Sequence, residues 1–351
     1  MSIPLALRRP WLLLRGARAD RDRPDLDRLA AIDDPMGFVW AILPHAARTF
    51  ATSILMLPAA QARTAAVAYL YCRMLDTYED LGDPADREAA LEAFAARMTT
   101  LEPPPPAPTT ARDDRDRVHL LLVERCRLVD RVFTTLPGAD RERIAELVQG
   151  MADGMVWSSR RFVEQGGVLI DAEQLSRYCH HVIGEPVLFT LLLVVEAELT
   201  VEQRRDALAV GELIQLANIT RDVERDLARG VGYHPSLLPH LGRTDAVEPV
   251  REARRHLMAA ALPHASAYTR LAGQLATKRF SLARASAVLM LLHTDRHYRW
   301  CARRIGHPGW RGPDRNGTIV LAALLAAFSR RWSDRVMGRV EHDFLRAAET
   351  L

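Results

Sequence analysis

Long stretches of Ala, Leu, Arg and Glu, with apolar residues returning every three to four positions and almost no period-two alternation, confine this chain to helical architectures. The period predicts helices over residues 61–80, 85–99, 114–136, 139–165, 171–197, 201–229, 248–276, 280–304 and 318–349. Asp33 or Asp34 offers an N-cap ahead of Pro35, and Pro44 and Pro58 punctuate the next stretch. Glu102-Pro-Pro-Pro-Pro-Ala-Pro-Thr-Thr reads as a polyproline loop, and Gly230, Gly232, Pro235 and Pro239 mark a second break. No internal repeat and no shift of composition divides the chain. The expectation is an all-α protein with a tail over 1–34, one large domain over 35–305, and a C-terminal helical segment, 306–351, packed on that domain.

Composition narrows the function classes. Lys and Arg total 47 against 44 Asp and Glu, a formal charge of +3, which argues against a nucleic-acid binder with its clustered basic excess. Cys72, Cys126, Cys179 and Cys301 form no C-x-x-C pair, so neither a disulfide framework nor a zinc site is expected, and a reducing, cytoplasmic compartment fits. No apolar run reaches the roughly 18 residues of a membrane span. Residues 187–195 and 318–328 come nearest, at core-helix length. The first 18 residues mix four arginines with apolar residues and lack a signal-peptide cleavage pattern. The simpler reading is a solvated tail; the other is a segment lying on an anionic membrane surface.

The informative stretch is Val67 to Asp80. Most of this helix is apolar all round, which marks it as buried. Yet Tyr69, Arg73, Asp76 and Asp80 share an arc of roughly 60° on a helix turning about 100° per residue. Burying unpaired charges is costly, so the stripe needs partners or a wet cavity. Between Gly211 and Gly230 the pattern repeats: Gln215, Asn218, Asp222 and Asp226 fall within an arc of roughly 80°, with Arg221 beside them. One D-x-x-x-D alone is commonly a solvated face. Two, each flanked by arginine and by amide or phenol groups, predict a hard-oxygen site facing one cavity, suited to Mg²⁺ and the oxygens of a diphosphate. Arg73 and Arg221 would meet the phosphates directly.

These residues resemble the squalene/phytoene synthases of the all-α isoprenoid synthase fold, a helical bundle with a central active-site cavity. Asp76-Thr77-Tyr78-Glu79-Asp80 is similar to the family's first aspartate-rich motif in its squalene synthase form. Asn218 to Asp226, followed by Arg229-Gly230 and Tyr233-His234-Pro235, resembles the second. Ala47-Arg48-Thr49-Phe50 is similar to the S-R-[ST]-F motif, whose arginine contacts diphosphate. Tyr178 to Gly184 resembles the helix whose first tyrosine works in the rearrangement, and Leu147 to Met155 matches the helix before it. Residues 279–304, with Tyr298, resemble the late helix that closes the pocket. There are departures: Ala47 replaces the family's serine, Arg225 stands at the fourth place of the second motif, and Glu185-Pro186-Val187 come directly after Gly184. Proline there is expected to kink the helix, and the carboxylate to enter an apolar pocket.

The resemblance implies Mg²⁺ held by Asp76, Asp80, Asp222 and Asp226. It implies diphosphate contacts from Arg48, Arg73, Arg221, Gln215, Asn218 and Tyr298, and catalytic roles for Tyr178, Tyr69, Asp80 and Asp222. The implied reaction is head-to-head condensation of two prenyl diphosphates, farnesyl diphosphate first, through a cyclopropyl diphosphate such as presqualene diphosphate towards squalene or another C30 product. The family's NADPH has no dinucleotide motif here. Glu185-Pro186 and Arg225 favour an alternative, a terpene cyclase or diphosphate lyase acting on one prenyl diphosphate. A non-catalytic assembly or binding protein is the third reading, against which all four aspartates stand. Lipid-soluble substrates and products add an expected peripheral contact with the inner face of the membrane, through the N-terminal segment or residues 318–328.

Weaker signals have plain readings. His293 and His297 share a helix face without an adjacent glutamate or a third ligand and read as polar positions of the late helix or contacts to its loop. His180-His181 beside Cys179 read as packing and hydrogen bonding. Arg251, Arg254 and Arg255 read as a solvated basic edge, and the glycosylation triplets at Asn218 and Asn316 carry nothing without a secretion signal.

Overall fold

The computed structural model describes residues 5–18, 23–195, 198–274, 279–307 and 316–351. Among these the backbone is helical, with one isolated parallel bridge between Val168 and Gly232. The chain separates into two compact units, Met1–Val156 and Trp157–Leu351.

The first unit holds α1 (Leu5–Arg18), α2 (Leu26–Ala30), α3 (Pro35–Ala47), α4 (Thr49–Met56), α5 (Ala59–Leu81), α6 (Arg87–Ala96), α7 (Asp114–Glu124), α8 (Cys126–Phe133) and the start of α9 (Gly138–Glu164), which continues into the second. Asp34 caps α3 by accepting the Gly37 amide at 2.6 Å, with Pro35 in the first helical position where no amide is needed. Helix α5 is the axis, packed by α3, α4, α6, α7 and α8. Its Tyr71 donates to Asp130 on α8 at 2.8 Å, and Arg97 donates to the same carboxylate at 2.6 Å and to the Glu102 carbonyl at 2.7 Å. Tyr78 donates to the Pro105 carbonyl at 2.7 Å, so the proline loop is tied to the axis helix. The expected helix 114–136 divides at Arg125, whose guanidinium donates to the Ile32 carbonyl at 2.6 Å and to Asp33 at 2.9 Å.

The expected solvated tail does not hold over Leu5–Arg18. Arg9 of α1 donates to the Leu57 carbonyl at 2.7 Å, and Leu12 is buried against the unit.

The second unit is arranged around α12 (Val201–Ala228), whose first turn is closed by a reciprocal capping box between Thr200 and Gln203. Before it run α10 (Ala172–Cys179), a π-helical turn (His180–Gly184) and α11 (Glu185–Val195). After it come α13 (Val247–Ala261), α14 (Ala265–Gln274), α15 (Leu282–Arg304), α16 (Asn316–Phe328) and α17 (Arg330–Ala348). Pro263 sits in a 3₁₀ turn that divides the expected helix 248–276, and Ser329 divides 318–349 by capping α17 through the Trp332 amide at 3.2 Å.

The kink expected at Pro186 is instead a wider turn. Proline cannot supply an amide to the preceding turn, and the five residues before Glu185 take the π spacing, so the helical run continues. That run, Ala172–Val195, is long and apolar enough to cross a membrane by length and composition. This overturns the expectation that no apolar run reaches that length; Ser176 of the run donates to Glu212 at 2.9 Å and its Gly184 is buried at the α12 crossing. All four cysteines are buried free thiols.

Candidate active site

In the first unit the expected stripe lies on the least buried face of α5. Tyr69, Arg73 and Asp76 are half-buried and Asp80 is exposed, while Leu70, Tyr71, Met74, Leu75 and Tyr78 are buried around them. The stripe is internally partnered: Arg73 bridges to Asp76 at 2.9 Å and donates to the Tyr69 hydroxyl at 2.8 Å. Burial pushes the Asp76 carboxyl up to about 6, with Asp80 adding to the rise against the pull of Arg73 and Arg115. Phe50 lies with its ring centroid 5.6 Å from that of Tyr69, so the Ala47-Arg48-Thr49-Phe50 segment and the first stripe meet. Arg48 itself is the joint between α3 and α4, at φ 49° and ψ −109°. A non-glycine residue with positive φ is strained, and such strain concentrates at functional sites.

In the second unit Gln215 is buried, and Asn218, Asp222 and Asp226 continue from it along a half-buried face of α12. The Asn218 amide donates to the Gln215 side chain at 3.3 Å. Arg221 grips the neighbouring Asp222 with two hydrogen bonds, 2.8 and 2.5 Å. Burial works against the Arg221 charge, and its bonds to Asp222 outweigh that, so its pKa is raised. Arg225, the departure in this motif, is half-buried on the same helix.

The donor set is chemically suited to Mg²⁺. Each unit offers two carboxylates one helical turn apart, with no thiolate among them, and a hard cation takes such oxygens together with those of a phosphate. Among the described residues no three His, Cys, Asp or Glu side chains converge as a ready metal site. A metal held by either aspartate pair would therefore take further oxygens from elsewhere to complete its coordination shell.

Tyr178 stands at the end of α10 in a cluster of three aromatic rings. Its hydroxyl is 3.3 Å from that of Tyr233, the two ring centroids are 5.3 Å apart, and Phe162 meets both rings edge-on at 6.3 and 5.8 Å. Local backbone places Tyr233 there: the Leu169 amide donates to the Gly232 carbonyl at 3.0 Å and the Gly232 amide to the Gly167 carbonyl at 2.8 Å. Next to Tyr178 in the chain, Ser176 and His180 both reach Glu212 of α12. Glu212 accepts from Ser176 at 2.9 Å and pairs with His180 at 3.3 Å and His264 at 3.6 Å. Glu185 is half-buried, and that burial raises its carboxyl despite His180.

Several expectations change. Tyr298, expected at the diphosphate, is wholly buried: its hydroxyl donates to the Leu213 carbonyl at 2.7 Å and its ring meets Phe344 edge-on. It pins α15 to α12. One residue of α15 whose electrostatics couple to the second stripe is His297, where burial, Arg221 and His293 hold the imidazole down to about 3 and so keep it neutral near pH 7. Its signal in the sequence was only its i, i+4 relation to His293. Arg254 is not on a solvated edge: it is buried, donating to the Thr220 carbonyl at 2.8 Å and to Glu224 at 2.5 Å. A cavity of about 280 Å³ opens beside Arg254, Arg251, Arg304 and Glu224, and none of the expected site residues lines it.

Comparison with known proteins gives a consistent result. The family model described as squalene/phytoene synthase matches residues 43–300. The squalene synthase BSS of Botryococcus braunii is 30% identical over 201 residues, 56% of this chain and 41% of that protein. The chain thus spans about two fifths of the length of this curated relative. Two ligand complexes of TcSQS superpose with TM-scores of 0.66 and 0.68 at 18% identity, covering 91% of this chain and 99% of theirs. At that identity the likeness establishes the fold, the all-α fold of the squalene synthase structures. The matched segment takes in both acidic stripes, the Arg48 joint and Tyr178, and extends over well more than half of the sequence; the chain belongs to the squalene/phytoene synthase family.

Proposed function

We propose that this chain is a Mg²⁺-dependent prenyltransferase that joins two prenyl diphosphates, farnesyl diphosphate first, head to head through a cyclopropyl diphosphate such as presqualene diphosphate, towards squalene or a related C30 product. The observation that carries the reading is the repeated unit of chemistry: a D-x-x-x-D carboxylate pair with an arginine already engaging one member, Arg73 with Asp76 and Arg221 with Asp222. Asp76 and Asp80, and Asp222 and Asp226, would hold the metal. Bound Mg²⁺ supplies Lewis acidity at the leaving diphosphate and a template for its oxygens. Arg48, Arg73 and Arg221 neutralise and orient the phosphates, and the Gln215 and Asn218 amides donate to them. The Tyr69 hydroxyl, held by Arg73, stands beside the first pair. Tyr178 stabilises an allylic cation through its ring face or accepts a proton, its hydroxyl positioned by Tyr233 and its ring shielded from water by Phe162.

Incubation with farnesyl diphosphate and Mg²⁺, with and without NADPH, beside the Asp80→Ala and Asp226→Ala variants, tests this by mass spectrometry before and after phosphatase treatment. The expected result is a C30 diphosphate or hydrocarbon lost in both variants, with NADPH dependence naming the end point. The half-buried Glu185 favours one alternative, a cyclase or lyase acting on a single prenyl diphosphate. Metal-dependent diphosphate release with only C15 products would decide for it.

A further inference from the structure

Helix α16 is built inside out. Its inward residues are mostly small, with Ile319, Ala323, Ala326 and Ala327 buried, while Leu321, Leu324, Leu325 and Phe328 point to solvent with 57%, 40%, 44% and 68% of their surface exposed. Those four share an arc of about 100° on the helix. No charged residue interrupts α16, so the outward stripe is apolar from end to end. An ordinary surface helix turns its large apolar side chains to the core, and a contiguous exposed apolar patch marks an interaction surface. Phe280 extends the stripe: it is 50% exposed and its ring lies 5.0 Å from that of Phe328.

The patch is held in place from behind. Arg284, fully buried, donates to the Ala326 carbonyl at 2.5 Å and to the Ala327 carbonyl at 2.8 Å, the Ser281 amide donates to Ala327 at 2.9 Å, and the Trp332 indole donates to Ala322 at 3.1 Å. Pinned at this end, α16 cannot roll its leucines inward. Its 13 residues are too few to span a bilayer of about 30 Å, so it can only lie along a surface. The charge at the Phe280–Phe328 end says which surface: Arg279, Arg330 and Arg331 are exposed there, with Asp334 the acid near Arg330, at 3.8 Å.

We propose that the outward face of α16, with Phe280 and the arginines at its C-terminal end, docks on an anionic lipid bilayer. The apolar stripe enters the boundary between headgroups and acyl chains, and the arginines pair with lipid phosphates. No substrate takes part in this contact, so it stands or falls separately from the catalytic reading.

The test is flotation of the full chain with vesicles of phosphatidylcholine alone and of phosphatidylcholine mixed with phosphatidylglycerol, at low and high salt. Binding is expected with the mixed vesicles, weakened about tenfold by Leu324→Ser with Phe328→Ser. Arg330→Glu with Arg331→Glu should remove the preference for anionic lipid, each arginine contributing about fivefold. All the substituted side chains are exposed, so melting temperatures should not move; Leu321→Ser alone serves if the double variant misfolds. The proposal is overturned by absence of flotation with anionic vesicles, or by flotation that the α16 variants leave unchanged. Loss of flotation only on Trp11→Ser in α1 also overturns it, as does a concentration-dependent dimer that these variants dissolve without any vesicle binding.

Discussion

Arg48 combines two properties that pull apart. Its guanidinium is proposed to serve phosphate, and its backbone sits at φ 49°, where a β-carbon is penalised. Arg48→Ala should lose the guanidinium and keep the strain, whereas Arg48→Gly loses the guanidinium and relieves it. Both variants should therefore be impaired in turnover, and in urea denaturation the glycine variant should be the more stable by about 1 kcal/mol. Equal stabilities would mean that the joint is not strained. A similar separation applies to Tyr178 and Tyr233, whose hydroxyls are 3.3 Å apart. Tyr233→Phe removes a hydrogen bond of about 1 kcal/mol and should lower turnover several-fold at unchanged KM, while Tyr178→Phe should cost more. A Tyr233→Phe enzyme with wild-type kinetics would free Tyr178 of any dependence on its neighbour.

At the scale of elements, α12 and the π turn approach so closely that a β-carbon on Gly211 would lie 2.4 Å from the Gly184 α-carbon and 2.6 Å from its nitrogen. Backbone cannot yield as a side chain can, so Gly211→Ala should destabilise by about 2–3 kcal/mol. Gly338 in α17 has nothing within 4 Å of its would-be β-carbon, and Gly338→Ala should stabilise by about 0.5–1 kcal/mol through helix propensity. Thermal melts of the pair check both signs. This crossing was not legible in the sequence, because Gly184 and Gly211 meet only through packing. Both acidic stripes were legible, since 23 and 28 residues of unbroken helix fix the angular relation of side chains three, four and seven apart. Rotation about a helix axis is another matter. Tyr298 and His297 are adjacent, about 100° apart on α15, and the period could not say which of them the core would take. Arg254 was misread for the same reason: a guanidinium that satisfies a buried carbonyl and a carboxylate is indistinguishable in sequence from one in water. Pro186 announced a disturbance correctly and its form wrongly, because widening the preceding turn accommodates a missing amide as well as a kink does.

At the scale of the chain, segments distant in sequence converge on one half-buried acid. Glu212 on α12 gathers Ser176 of α10, His180 of the π turn and His264 of the 3₁₀ turn before α14. Burial alone would raise its carboxyl; the hydrogen bonds from His180, His264 and Ser176 outweigh burial and hold it well below the usual carboxylate range. A carboxyl whose pKa is lower folded than unfolded contributes stability above its unfolded value, about 4.3, and loses that contribution as pH falls through the folded value. Glu212→Gln keeps the shape and removes the charge. Urea denaturation should therefore find the variant less stable than wild type at about pH 5, where the carboxylate is charged both folded and unfolded, with the difference narrowing below about pH 4 as the carboxylate of the unfolded wild-type chain takes up its proton before the folded one does. A difference that stays constant into strong acid would mean that the lost hydrogen-bond geometry, and not the charge of Glu212, joins these segments.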